Sequence, residues 1–179
     1  MAQFKGFDPK VEVVGQGVLV LIEGVGTFRP TALKILAEHG ISNVQADKWY
    51  PQQAYLDAYR QIAEKVGPVT LKLIGRKIPE VALWPPQINS VEAALASIDV
   101  AYHMNNRGGE IGSYKFKKTE ERTGKMVCHN PFPCQFDIDL VEATAQKFAL
   151  VATQVKVTHD DTQECRQKGG ETCTLLISW

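Results

Sequence analysis

His159-Asp160-Asp161-Thr162-Gln163-Glu164-Cys165-Arg166-Gln167-Lys168-Gly169-Gly170-Glu171-Thr172-Cys173, running into the apolar tail Thr174 to Trp179, is the most informative segment of the chain. Two cysteines stand eight positions apart, with a glycine midway, directly before Cys173, Leu175, Ile177 and Trp179 at every second place. Period-two alternation predicts a strand with one buried face. Working back, Val151, Thr153, Val155 and Val157 predict a second strand with one wet face. Asp137 is placed to cap a helix through Phe148, with Phe136 and Val141 as its hydrophobic staple. Pro131-Phe132-Pro133 is a stiff connector. Ile111 to Lys118 and Lys125 to Cys128 predict a hairpin, with Glu120 to Gly124 as its charged turn.

Upstream of Gly109 the chain reads as helical. Val11 to Val14 predicts a short strand, and Val18 to Glu23 fits a strand or a buried helix equally. Thr31 to Glu38 predicts a helix between Pro30 and Gly40. Pro51 opens a clearer one, with Tyr55, Leu56, Tyr59, Ile62, Ala63 and Val66 at helical spacing until Gly67. Val69 to Ile78 predicts another, stopped by Pro79. Trp84-Pro85-Pro86 is a rigid break. Asn89-Ser90-Val91-Glu92 reads as a capping box with Asn89 as the cap. Val91, Leu95, Ile98 and Tyr102 form one apolar stripe on the helix that follows. Helices first and an antiparallel sheet later predict an α+β fold. The expectation is a single domain over 1–179, helical to about residue 109 and sheet-rich from about 110.

The chain has 179 residues, 44% of them hydrophobic and 22% charged, with a formal net charge of zero. The composition is ordinary for a globular protein, and the length suits one domain or at most two small ones. Interspersed charge gives no footprint for nucleic acid. The longest apolar run, Gly17 to Ile22, is too short for a membrane span. Met1-Ala2-Gln3-Phe4-Lys5 shows no secretory signal, so the expected location is cytoplasmic. In a reducing compartment, paired cysteines more often bind metal or stay as thiols than form stable disulfides.

All four cysteines, Cys128, Cys134, Cys165 and Cys173, fall in the C-terminal third. Thiolates suit tetrahedral zinc, but gaps of five and seven residues are looser than those of a finger or ribbon. His129 or His159 is available to replace one thiol. Two other readings stand beside a metal or redox site. One is a mix of buried and inert thiols. The other is a disulfide, Cys165 with Cys173 or Cys128 with Cys134. His159-Asp160-Asp161 reads best as a solvated loop. No dinucleotide loop, phosphate-binding loop, nucleophile elbow or metalloprotease motif is present, so a self-sufficient enzyme is not the expectation.

The segment from about Cys128 to Trp179 resembles the 4-vinyl reductase domain. This small-molecule-binding module is related in fold to haem-based nitric-oxide sensor domains and to TRAPP-complex tethering subunits. The resemblance rests on Cys165, Gly169 and Cys173 at equal spacing before a terminal strand, preceded by Cys134, the helix from Asp137 and the strand up to Thr158. It implies an apolar ligand pocket between helices and sheet, and roles in ligand sensing, tetrapyrrole metabolism or assembly, often as a homodimer. The leading expectation is therefore a small-molecule-binding or sensor domain with a zinc site of Cys128, Cys134, Cys165 and Cys173.

The alternatives are a haem protein that senses a diatomic gas or carries a tetrapyrrole, a tetrapyrrole reductase served by a separate electron donor, and a structural or assembly subunit. For haem, His103 in Ala101-Tyr102-His103-Met104 is the first candidate ligand. A histidine there also suits the helix dipole, and it lies on a different face from Tyr102. Trp84, Tyr55, Tyr59 and Tyr102 are candidates to line the pocket for a small apolar molecule, or else they are ordinary core.

Overall fold

A computed structural model describes residues 3–179; Met1 and Ala2 lie outside the described residues. Strand β1 (Glu12–Val14) feeds helix α1 (Gly15–Gly24), so the ambiguous Val18 to Glu23 run is helical. Helix α2 (Arg29–Glu38), strand β2 (Trp49–Pro51) and helix α3 (Gln52–Val66) follow. Helix α3 buries Tyr55, Leu56, Tyr59 and Ile62 on one face, as their spacing predicts. Helix α4 (Val69–Val81) runs three residues past Ile78. Pro79 therefore does not stop it. The proline sits in the last turn, where its missing N–H costs a single bond, and Ala82 N still reaches the Ile78 carbonyl at 3.0 Å.

Helix α5 (Val91–Asn105) is capped by Ser90, whose hydroxyl accepts the Ala93 N–H at 3.2 Å; the cap is one residue later than Asn89. Val91, Leu95, Ile98 and Tyr102 are all buried. Leu95 is fully enclosed, so Leu95→Ala is expected to cost about 2–5 kcal/mol, read by thermal melting. An unchanged melting temperature would show that this face is not core.

The N-terminal half also holds a small antiparallel sheet that periodicity does not reveal. Its order is β2-β1-β3, where β3 is the two-residue strand Asn106–Arg107. The larger sheet has the order β4-β5-β7-β6, all antiparallel, from β4 (Ser113–Glu120), β5 (Thr123–His129), β6 (Lys156–His159) and β7 (Cys173–Ser178). Its inner face carries Tyr114, Met126, Cys128, Val157, Cys173, Leu175 and Ile177, all buried. Helices α5 and α6 (Cys134–Phe148) cover that face.

Helix α4 crosses α6 closely because position 75 is glycine: a Cβ there would lie 2.7 Å from the Phe136 carbonyl oxygen. Two expectations near α6 change. The helix starts at Cys134, after Pro133, so Asp137 is an interior residue of the first turn and not the cap. The strand expected over Val151 to Val157 is confined to β6. The preceding residues leave the sheet: Val151 is fully exposed and Ala152 has φ +69°. The Gln146 side chain pins that segment, donating to the Thr153 carbonyl at 3.0 Å and accepting the Val155 N–H at 3.3 Å.

A candidate metal centre at the sheet edge

Four chain segments end at one place. Pro131-Phe132-Pro133 delivers Cys134 as the first residue of α6. His159 closes β6, and Cys165 and Cys173 flank the loop that leads into β7. The Cys134 Sγ lies 2.9 Å from the Cys173 Sγ and 3.6 Å from the Cys165 Sγ, and Cys165 and Cys173 are 3.6 Å apart. With His159 added, the four ligand atoms all lie within 4.8 Å of one another. A zinc–sulfur tetrahedron with bonds of about 2.3 Å has edges of about 3.8 Å, so the cluster is of ligand size. The four cysteines are free thiols. The His159 Nε2 is buried and makes no hydrogen bond, the state of an imidazole whose partner is a metal ion.

Electrostatics already favours thiolate at Cys173 and opposes it at Cys134. The Cys134 thiol hydrogen-bonds to Cys173, which pushes Cys134 up and holds Cys173 down to about 4 against the cost of its burial. The Arg166 N–H also donates to the Cys173 Sγ at 3.2 Å, and the Gln3 amide donates to the Cys134 Sγ at 3.0 Å. Hydrogen bonds of this kind stabilise charged sulfur.

Three of the four expected cysteines converge, and the fourth does not. Cys128 faces Cys173 across the β5–β7 ladder and is fully buried, yet it is not in the ligand group. Burial pushes its thiol up, with the nearby Asp137 adding to the effect. It is packed as a core residue, and His159 is the fourth member of the group.

Beneath the cluster lies a network with no local signal in the sequence. The Arg166 guanidinium donates to the Asp137 carboxylate and to both the backbone carbonyl and the side-chain oxygen of Asn130. Tyr114 donates its hydroxyl to Asp137 at 2.6 Å, and Asn130 accepts the Phe132 N–H at 2.9 Å. Burial pushes the Asp137 carboxyl up, and Arg166 and Tyr114 pull it back. A pair this buried is held by geometry and hydrogen bonds together.

Of the four aromatic candidates, three pack together and Trp84 stands apart. Tyr55, Tyr59 and Tyr102 join Phe132 and Phe136 in one interior cluster, with ring centroids 5.0–6.3 Å apart. The Tyr59 hydroxyl is buried there without a partner. Trp84 lies elsewhere, edge-on to Phe148 at 4.8 Å with its indole N–H on the Pro79 carbonyl. The His103 ring is half exposed, with Nδ1 2.9 Å from the Asp99 carbonyl oxygen.

No protein-family profile matches the chain, and no curated protein matches it. Solved structures do. A mutant H-NOX protein from S. oneidensis in the Fe(II) ligation state superposes with a TM-score of 0.68 at 16% identity, covering 92% of this chain and 95% of that one. The Fe(II) unliganded H-NOX protein from K. algicida gives 0.67 at 13% over 92% and 95%. A mutant of T. tengcongensis H-NOX gives 0.65 at 14% over 91% and 96%. The chain has the H-NOX fold, an α+β architecture spanning nearly its whole length. The expected kinship with haem-nitric-oxide sensor domains is thus met at the level of fold, while nothing found supports the 4-vinyl reductase label. No helix among the described residues is long and apolar enough to cross a membrane.

Proposed function

We propose that this chain is a ligand-binding sensor module of the H-NOX fold, clasped by one zinc ion on Cys134, His159, Cys165 and Cys173. The observation that carries this reading is the gathering, within 4.8 Å, of three thiols and a half-buried imidazole whose enclosed Nε2 makes no hydrogen bond. Four protein ligands fill a tetrahedron and leave no open position for water or substrate, so the ion serves structure or switching, not hydrolysis. It would tie the start of α6 to the end of β6 and the start of β7.

Protein purified without added zinc is expected to carry about one metal ion per chain and to melt at a lower temperature after chelation. Sub-stoichiometric metal, with melting indifferent to chelator, would contradict the reading.

Haem is the second reading. The S. oneidensis H-NOX protein is known in an Fe(II)NO state, and the His103 Nδ1 contact with a carbonyl is the kind that aims the other ring nitrogen at a metal. The residues as packed do not fit a porphyrin on His103. Its ring stands on the outer side, while the inward neighbour Tyr102 is fixed edge-on to Tyr114 and Phe132 with its hydroxyl 2.5 Å from the Ile111 carbonyl oxygen. The haem reading therefore rests on fold kinship, which leaves function open. An absorption titration decides it: a Soret band that shifts on haem addition and is lost in His103→Ala would establish haem, and its absence would remove it.

A further inference from the structure

The geometry points to Glu164 as the residue that positions the two loop ligands of the metal centre, holding Cys165 and Cys173 together before any ion arrives. The inference rests on the metal-centre reading above. Glu164 precedes Cys165, and its carboxylate reaches across the loop to the residues just before Cys173. One oxygen, Oε2, accepts the Glu171 N–H at 3.0 Å. The other, Oε1, accepts the Thr172 N–H at 3.2 Å and the Thr172 hydroxyl at 2.8 Å. Three donors at one end of the loop thus converge on a single side chain at the other.

The backbone between them is shaped to allow this. Lys168 N and Gly170 N both donate to the Cys165 carbonyl, at 2.9 and 3.0 Å. Gly169 turns the chain at φ +92°, a conformation that favours glycine. Gly170 passes so close to Glu164 that an added Cβ would lie 2.9 Å from both the Glu164 Cβ and its Oε2. A side chain at 170 would push the carboxylate off its donors. The clasp is therefore a matched pair, a carboxylate at 164 and bare backbone at 170. It sits on the outside of the molecule, because Glu164 is exposed. The loop needs no ion to close, so the cost of ordering it is met in folding and does not weaken metal binding.

Zinc affinity measured by competition with a chromophoric chelator tests this, on the full chain with Glu164→Gln, Glu164→Ala and Gly170→Ala. Partners that orient ligands typically contribute about 10–100-fold in metal affinity. Glu164→Ala and Gly170→Ala are expected to bind zinc about 10–100-fold more weakly. Glu164→Gln, which keeps one acceptor oxygen, is expected to fall between them and wild type. Cobalt(II) loaded in place of zinc should give the same thiolate charge-transfer and d–d spectrum in every variant, since no ligand is changed. In the metal-free protein the Glu171 and Thr172 amides should exchange faster in Glu164→Ala.

Wild-type affinity in Glu164→Ala and Gly170→Ala, in a protein that does load zinc, would overturn the positioning role alone. An altered cobalt spectrum would overturn it too, by showing that Glu164 belongs to the ligand set. A wild type that takes up no zinc would overturn the metal-centre reading and this role together.

Discussion

Arg166→Met is expected to destabilise the fold by about 3–5 kcal/mol, because it strands the Asp137 carboxylate in the core. Both side chains are almost wholly enclosed, at 2% and 0% exposure, so water cannot replace the lost partner. For a domain of this size 1 kcal/mol is worth about 2–4 °C, which places the fall in melting temperature at roughly 6–20 °C. The Asn130 carbonyl would lose the guanidinium donor in the same step, and the Asn130 side-chain oxygen would keep only the Phe132 N–H. The pair as a whole is a different matter from either partner alone. Arg166→Met combined with Asp137→Leu removes both charges and should recover much of the loss. A drop below about 1 kcal/mol in the single variant would show that the pair does not organise this region.

Cys173→Ala is expected to lower zinc affinity by more than about 100-fold, since partners that merely orient ligands already contribute up to that much. Cys128→Ala should leave zinc content at one per chain. The two residues face each other across the same ladder and both are fully buried, so burial and strand position cannot separate them. What separates them is neighbourhood. Cys173 lies 2.9 Å from the Cys134 Sγ and receives the Arg166 N–H, whereas Cys128 lies outside the ligand group. Stability should follow the metal: Cys173→Ala melts like chelated wild type, and Cys128→Ala loses only what a small cavity costs. Loss of zinc from Cys128→Ala with retention in Cys173→Ala would reverse the assignment.

How much of this was legible in the sequence depends on how local each signal is. The stripe Val91, Leu95, Ile98 and Tyr102 and the alternation Cys173, Leu175, Ile177 both appear as read, because burial repeats with the period of the element. Pro79 misled because a proline in a last turn costs little, and Asp137 because a buried, paired aspartate has the same letter as a cap. The strand expected from Val151 failed because the Gln146 side chain competes with the ladder for that backbone, and nothing in the spacing announces this. At the site, three thiols followed from clustering alone. His159 is available in the sequence as a substitute ligand, yet His159-Asp160-Asp161 has the composition of a solvated loop. Choosing it over Cys128 requires knowing that β6 is an edge strand ending beside the loop. The pair Asp137 with Arg166 spans 29 positions and leaves no periodic trace.

X-ray absorption at the metal edge of the protein as purified reads the ligand set itself. The expected first shell is three sulfurs at about 2.3 Å and one nitrogen at about 2.0–2.1 Å, the signature of Cys134, Cys165, Cys173 and His159. A shell of four sulfurs would return Cys128 to the site, and a shell of oxygens, or no bound metal, would contradict the account.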